Sequence, residues 1–88
     1  LLKLEENVEY IVGIDLGGTK IVGAVSDLNG KFIAKMRQPT QAADGPDAII
    51  ERLTNFSNAL IAKAGVNSVK VRGVGIGVPG VVRPVNLE

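Results

Sequence analysis

Residues 13–20 read Gly-Ile-Asp-Leu-Gly-Gly-Thr-Lys and lie between two apolar runs, residues 10–14 and 21–25. Nothing else in the chain constrains its folding as tightly. The runs read as two strands, so the chain must reverse direction within the few residues between them. Asp15 closes the first strand, Gly17 and Gly18 turn the corner, and Thr19 and Lys20 open the second. A Gly-Gly turn exposes backbone N–H groups and lets a bulky anion approach where a Cβ would block it. A carboxylate beside it repels phosphate but can hold hydrated Mg²⁺, which binds phosphate in turn. Together the two features favour MgATP. Two glycines between strands also serve as a plain hairpin turn, because primed turns need positive φ. Spacing alone leaves both readings open.

Two other phosphate motifs fail. A P-loop needs Gly-Lys-Thr leading into a helix, whereas here the order is Gly18-Thr19-Lys20 and a β-branched run follows. Gly75-Ile76-Gly77-Val78-Pro79-Gly80 matches a dinucleotide fingerprint by letter. It is followed by Val81-Val82-Arg83-Pro84, which cannot open a useful helix, and no ribose-binding carboxylate comes at the right distance.

Composition bounds the function classes. The chain has 88 residues, one small domain or part of a larger one. Its apolar fraction of 45% suffices for a core, but only 3% is aromatic, so Val, Ile, Leu and Ala must build that core. Ten basic and nine acidic residues leave a net charge of +1 with no basic cluster, so these residues carry no electrostatic footprint for nucleic acid. No apolar run approaches bilayer-spanning length and no secretory signal is visible. Without Cys or His the segment has no disulfide and no ordinary zinc site. The expected compartment is the cytoplasm. The sequon Asn55-Phe56-Ser57 falls in a helical pattern and reads as chance.

Residues 1–9 read as a charged lead-in or linker, and residues 10–88 as one partial subdomain. Tyr10–Leu16 is apolar on both faces, as in a central strand covered on two sides. A second strand spans residues 19–28. Asn29-Gly30 then carries the chain into a third strand over residues 31–38. There Phe32, Ala34 and Met36 alternate with Lys31, Lys35 and Arg37, with Ile33 on the basic face only partly spoiling a pattern suited to a sheet edge. After a loop, Gly45-Pro46-Asp47 starts a helix that runs to about Ala64 and stops at Gly65. Ile49, Leu53, Phe56 and Leu60 form its apolar stripe, broadened by Ile50, Ile61 and Ala64. A fourth strand spans residues 69–78, and its Gly73, Gly75 and Gly77 imply backbone packed against neighbours. Asp27, Asp44 and Asp47 read as turn and helix-start residues. One helix cannot cover both faces of this sheet, so an incomplete fold is expected, with self-association through the open face and edge. The final Leu87-Glu88 reads equally as natural sequence or a cloning scar.

The Asp-Leu-Gly-Gly-Thr-Lys hairpin, the Asn-Gly turn, the helix, and Gly73-Val74-Gly75-Ile76-Gly77-Val78-Pro79-Gly80 together resemble the start of a ROK protein. That family (repressor, open reading frame, kinase) holds bacterial sugar kinases and sugar-responsive transcription factors. The resemblance implies an α/β fold of the actin-like ATPase class: a ribonuclease-H-like sheet with a three-strand meander, a helix, then a strand. It implies that Asp15 contacts Mg²⁺ through water and that the Gly17, Gly18 and Thr19 backbone faces the β- and γ-phosphates of ATP. Lys20 either adds positive charge there or solvates the strand. Pro79 and Gly80 match the loop bordering the sugar pocket, and read equally as a strand-ending turn. The family's catalytic base, an Asp in an Asn-Asp-type motif, belongs later in the chain, as do its sugar-reading acidic and His residues and its zinc cluster. None lies within these residues. The leading expectation is therefore the N-terminal part of an ATP-dependent kinase acting on a hexose or aminohexose. The alternative is the sugar-sensing part of a ROK transcriptional regulator, where the phosphate loop is often degraded. A structural actin-like ATPase is a third reading, disfavoured by the Gly75–Gly80 stretch.

Overall fold

The computed structural model describes residues 8–78. Strands β1 (Tyr10–Leu16), β2 (Lys20–Asp27) and β3 (Phe32–Pro39) form an antiparallel meander. A single 3-10 turn, Ala42–Asp44, leads into helix α1 (Pro46–Ala64). A second 3-10 turn, Ser68–Lys70, feeds β4 (Val71–Gly77), which pairs parallel with β1. The sheet order is β3-β2-β1-β4, so α1 carries the chain from one edge strand to the other.

Local chemistry explains each reversal. At the β2–β3 turn, Asp27 Oδ1 accepts from the N–H groups of Asn29 and Lys31, both at 2.9 Å, and Gly30 takes φ 88°. That is an Asx-type turn closed by a glycine in the left-handed region. Pro46 opens α1 and Asp47 sits in its first turn, where the missing N–H and the negative charge both suit the helix start. Gly65, at φ 71°, ends it by donating to the carbonyls of Ile61 and Ala62. Asn67 caps the next turn by accepting from Val69 N–H at 3.1 Å.

The core lies between one face of the sheet and α1. Val12 and Ile14 from β1, Ile21 and Val25 from β2, and Phe56 and Leu60 from α1 are buried together. Gly23, between Ile21 and Val25, admits the helix: a Cβ there would lie 2.6 Å from the Phe56 ring and 3.0 Å from Leu60 Cδ2. This close approach is what glycine supplies at that position. Leu53, Ile61 and Ala64 pack at the margin, while Ile50 is exposed, so the helical stripe is narrower than the sequence pattern suggests.

The opposite face carries Ile11, Gly13 and Asp15 of β1, Val22 and Ala24 of β2, and the glycines of β4 opposite them in register. No described residue covers it. Tyr10–Leu16 is thus covered on one face only, and Ile11 is 44% exposed. Gly73 and Gly75 have nothing within 4 Å of an added Cβ, so the packing expected around them is absent from the described residues.

The simple alternation expected in β3 is also wrong at one end. The β2–β3 register shifts between Val25 and Ser26, which leaves Ile33 as an extra residue. Such a bulge turns Phe32 onto the face of Lys35 rather than that of Ala34 and Met36. The Lys35 ammonium accordingly sits 4.6 Å from the Phe32 ring centroid.

Candidate functional site

The turn joining β1 to β2 stands at the end of the two central strands. Gly17 N–H donates to Lys20 O at 2.9 Å and closes it. A Cβ on Gly17 would come within 3.0 Å of that same carbonyl oxygen, so the closed turn itself needs glycine there. Gly18 is different. Its φ is not in the left-handed region, and a Cβ built on it meets nothing within 4 Å. Neither glycine adopts the positive φ of a primed hairpin, so that reason for a Gly-Gly pair does not apply. No described residue explains why position 18 lacks a side chain.

The turn is rich in unused donors. Gly18 and Thr19 are exposed, and among the described residues neither N–H, nor the Thr19 hydroxyl, makes a hydrogen bond. Adjacent free N–H groups on a bare backbone form an anion-binding concavity. Two residues before the turn, Asp15 stands on the open face of β1, exposed, its carboxylate without a hydrogen-bond partner among the described residues. It borders a shallow depression of about 490 Å³ with Gly13, Val22, Ala24, Phe32, Lys35 and Gly75.

The other expected residues are not all gathered there. Thr19 and Lys20 border a separate hollow of about 300 Å³ with Arg37, Gln38 and Pro39. Lys20 begins β2 opposite Pro39 in register and is exposed, without an ion pair among the described residues. Asp15 and Lys20 thus flank the turn without meeting in one pocket. Pro79 and Gly80 lie outside the described residues. Asp27, Asp44 and Asp47 keep to turn and helix-start positions, with Asp44 also paired to Arg52 at 2.9 Å.

Asp15 suits magnesium and no harder task. Mg²⁺ keeps most of its waters and takes one or two carboxylates plus substrate phosphates, so a lone exposed carboxylate beside a turn with free N–H donors fits it. Among the described residues no three carboxylates, His or Cys cluster to form an all-protein metal cage. No helix among them is long and apolar enough to cross a membrane.

Two residues that matter to the turn escaped the sequence pattern. Thr40 is 2% exposed; its Oγ1 donates to Gly17 O at 2.7 Å and its N–H to Thr19 O at 2.9 Å. Arg52 of α1 donates to Thr40 O and reaches Asp44. These contacts bridge 23 and 12 residues, and no periodicity or motif reports contacts of that kind.

Comparison with known proteins supplies the context. A solved ROK family glucokinase from Streptomyces griseus, in complex with glucose and AMPPNP, superposes with a TM-score of 0.62 at 31% identity, covering 83% of this chain and 21% of that one. The "Putative N-acetylglucosamine Kinase" of Chromobacterium violaceum superposes with a TM-score of 0.62 at 20% identity, over 85% of this chain and 27% of that one, a likeness of fold alone. In sequence, the "Putative xylose repressor" of Caldicellulosiruptor sp. (strain Rt8B.4) is 32% identical over 82 residues, which is 93% of this chain and 21% of the relative. The chain therefore spans about a fifth to a quarter of the length of these relatives, and its strands and helix form part of the actin-like ATPase fold of such sugar kinases. The ROK family profile matches residues 11–87, from the first strand through the phosphate-turn candidate to the glycine-rich fourth strand, and the chain belongs to the ROK family.

Proposed function

We propose that the chain is the N-terminal part of an ATP-dependent sugar kinase, supplying the first phosphate-binding loop and part of the sugar-side cleft. The observation that carries this reading is Gly18: a bare, exposed position whose N–H is unused and whose missing side chain no described residue requires. An incoming phosphate does require it. The glucokinase relative, which holds glucose and AMPPNP, supports the same ligands here.

In this reading the free N–H groups of Gly18 and Thr19 cradle the β- and γ-phosphates, while Gly17, whose N–H closes the turn on Lys20 O, shapes the backbone they approach. Lys20 adds positive charge at the rim. Asp15 would hold hydrated Mg²⁺ through its waters, and the ion would neutralise charge on the phosphates. The γ-phosphoryl passes from the β–γ bridging oxygen of ATP to a hydroxyl oxygen of a hexose or aminohexose, and ADP leaves. The hydroxyl proton goes to a base outside these residues. Phosphoryl transfer relies on positioning and charge stabilisation, which a rigid turn between two central strands provides. Pro79 and Gly80 would border the sugar. The reaction belongs in the cytoplasm, where its nucleotide is found.

A second reading has its own observation. The relative named as a xylose repressor matches nearly the whole chain, and a sugar-sensing regulator would bind sugar without transferring phosphate. Unused turn donors and an intact Asp15 favour the kinase. A coupled assay on the full-length protein with MgATP and a panel of hexoses and aminohexoses separates the two. We expect turnover, and Asp15→Asn should lower kcat by orders of magnitude with little change in sugar affinity. Sugar binding without any phosphoryl transfer selects the regulator.

A further inference from the structure

Thr40 holds the phosphate-turn candidate from behind, and it does so at two points. Its hydroxyl donates to Gly17 O at 2.7 Å and its own N–H donates to Thr19 O at 2.9 Å. A trans peptide points its C=O and N–H in opposite directions, and no described peptide is cis. Drawing the Gly17 carbonyl toward Thr40 therefore turns the Gly18 N–H away from Thr40, outward, where no described residue accepts from it. Thr40 is itself gripped. The Arg52 guanidinium donates to Thr40 O, reaches Gln41 O at 3.4 Å, and pairs with Asp44 at 2.9 Å. Gln41 has φ 54°, the one described non-glycine residue in the left-handed region. Such a conformation persists only where its surroundings hold it, and Gln41 O accepts from Asp44 N–H at 3.0 Å as well as from Arg52. Helix, loop and turn are thus one chain of hydrogen bonds that ends on the peptide preceding Gly18.

We propose that Thr40, anchored by Arg52, is a positioning residue that aims the Gly18 N–H at the phosphate of a bound nucleoside triphosphate. The proposal rests on the reading of the Gly17–Thr19 turn as a phosphate site. It assigns a role to a buried threonine that contacts no ligand. Pre-set donors avoid reorganisation when charge arrives, which is why fixing a peptide plane has a functional effect beyond stability. Thr40 is nearly fully buried, so its hydroxyl serves the turn rather than solvent.

The test is calorimetric titration of the full-length protein with Mg²⁺ and AMPPNP, comparing wild type, Thr40→Val and Thr40→Ser, with sugar affinity and melting temperature measured alongside. Thr40→Val keeps the shape and removes the donor; Thr40→Ser keeps the donor. We expect Thr40→Val to weaken nucleotide binding roughly tenfold, the scale of one lost hydrogen bond to a charged acceptor's cradle. Thr40→Ser should stay close to wild type, and sugar affinity should not move in either. Unchanged nucleotide affinity in Thr40→Val overturns the proposal. Equal losses in both variants, tracking melting temperature, overturn it too, because the effect is then structural. Failure of the wild type to bind the nucleotide at all overturns the phosphate-site reading itself, a separate result. Should Thr40→Val not fold, Arg52→Gln carries the test: weaker nucleotide binding with sugar affinity intact supports the relay, and unchanged nucleotide affinity overturns it.

Discussion

Glycine has three different jobs in this chain, and the residue scale is where they separate. Gly65 sits at φ 71° and Gly30 at φ 88°, conformations that side chains resist. Gly23 has an ordinary backbone but lies under Phe56 and Leu60. Gly18 has neither constraint among the described residues, and the proposed phosphate contact gives it a third kind of role. The first two kinds predict stability effects and the third predicts a binding effect. Gly23→Ala should destabilise the fold by about 1–3 kcal/mol through overpacking, read as a lower melting temperature, with nucleotide affinity unchanged. A variant as stable as wild type would show that the helix does not bear on Gly23. The pattern of sequence alone did not distinguish these cases. It set Asp15, Gly17 and Gly18 at the strand-to-strand turn, yet gave Gly23 no role and left open a primed turn whose positive φ the structure does not show.

Among the elements, boundaries were legible wherever a local residue enforces them. Pro46 and Gly65 bracket α1, and Asn29-Gly30 turns β2 into β3. The fourth strand was expected two residues early because Val69 extends its alternating pattern back from Val71, whereas Asn67 caps a 3-10 turn that takes up Ser68–Lys70. The Ile33 bulge was hidden for a related reason. An extra apolar residue in an alternating strand reads as imperfect alternation, and only the partner strand shows which residue is squeezed out. Thr40 was illegible because its contacts are with backbone far away in sequence. The stop of α1 gives this scale its prediction. Gly65 is open around its Cβ position, so its left-handed backbone is what matters there. Gly65→Ala should cost about 1 kcal/mol and lower the denaturation midpoint; no change in midpoint would mean the cap conformation is not retained in solution.

For the whole molecule, the governing fact is that one helix covers one face. Val12, Ile14, Ile21 and Val25 are sealed beneath α1, while the other face carries exposed Ile11 and Phe32 around a glycine-lined floor. Even on the helix side, Val74 and Ile76 of β4 are 47% and 49% exposed, beside Ile50 and Leu53 of α1. The outer edge of β4 pairs with no described strand. Burial of a few hundred Å² of such surface, at about 25 cal/mol per Å², favours association by several kcal/mol before entropy costs. The 88-residue chain by itself should therefore form oligomers in light scattering at high micromolar concentration. A stable monomer there would contradict the expectation. The same incompleteness means the phosphate site is best tested in the full-length protein. The most direct measurement is the affinity of that protein for AMPPNP with Mg²⁺, compared with Gly18→Val. Because a Cβ at position 18 meets no described atom within 4 Å and the backbone there carries no left-handed strain, the variant should fold with wild-type melting temperature and bind sugar normally. The account predicts that it loses nucleotide binding; a folded Gly18→Val protein that binds AMPPNP as tightly as wild type would contradict it.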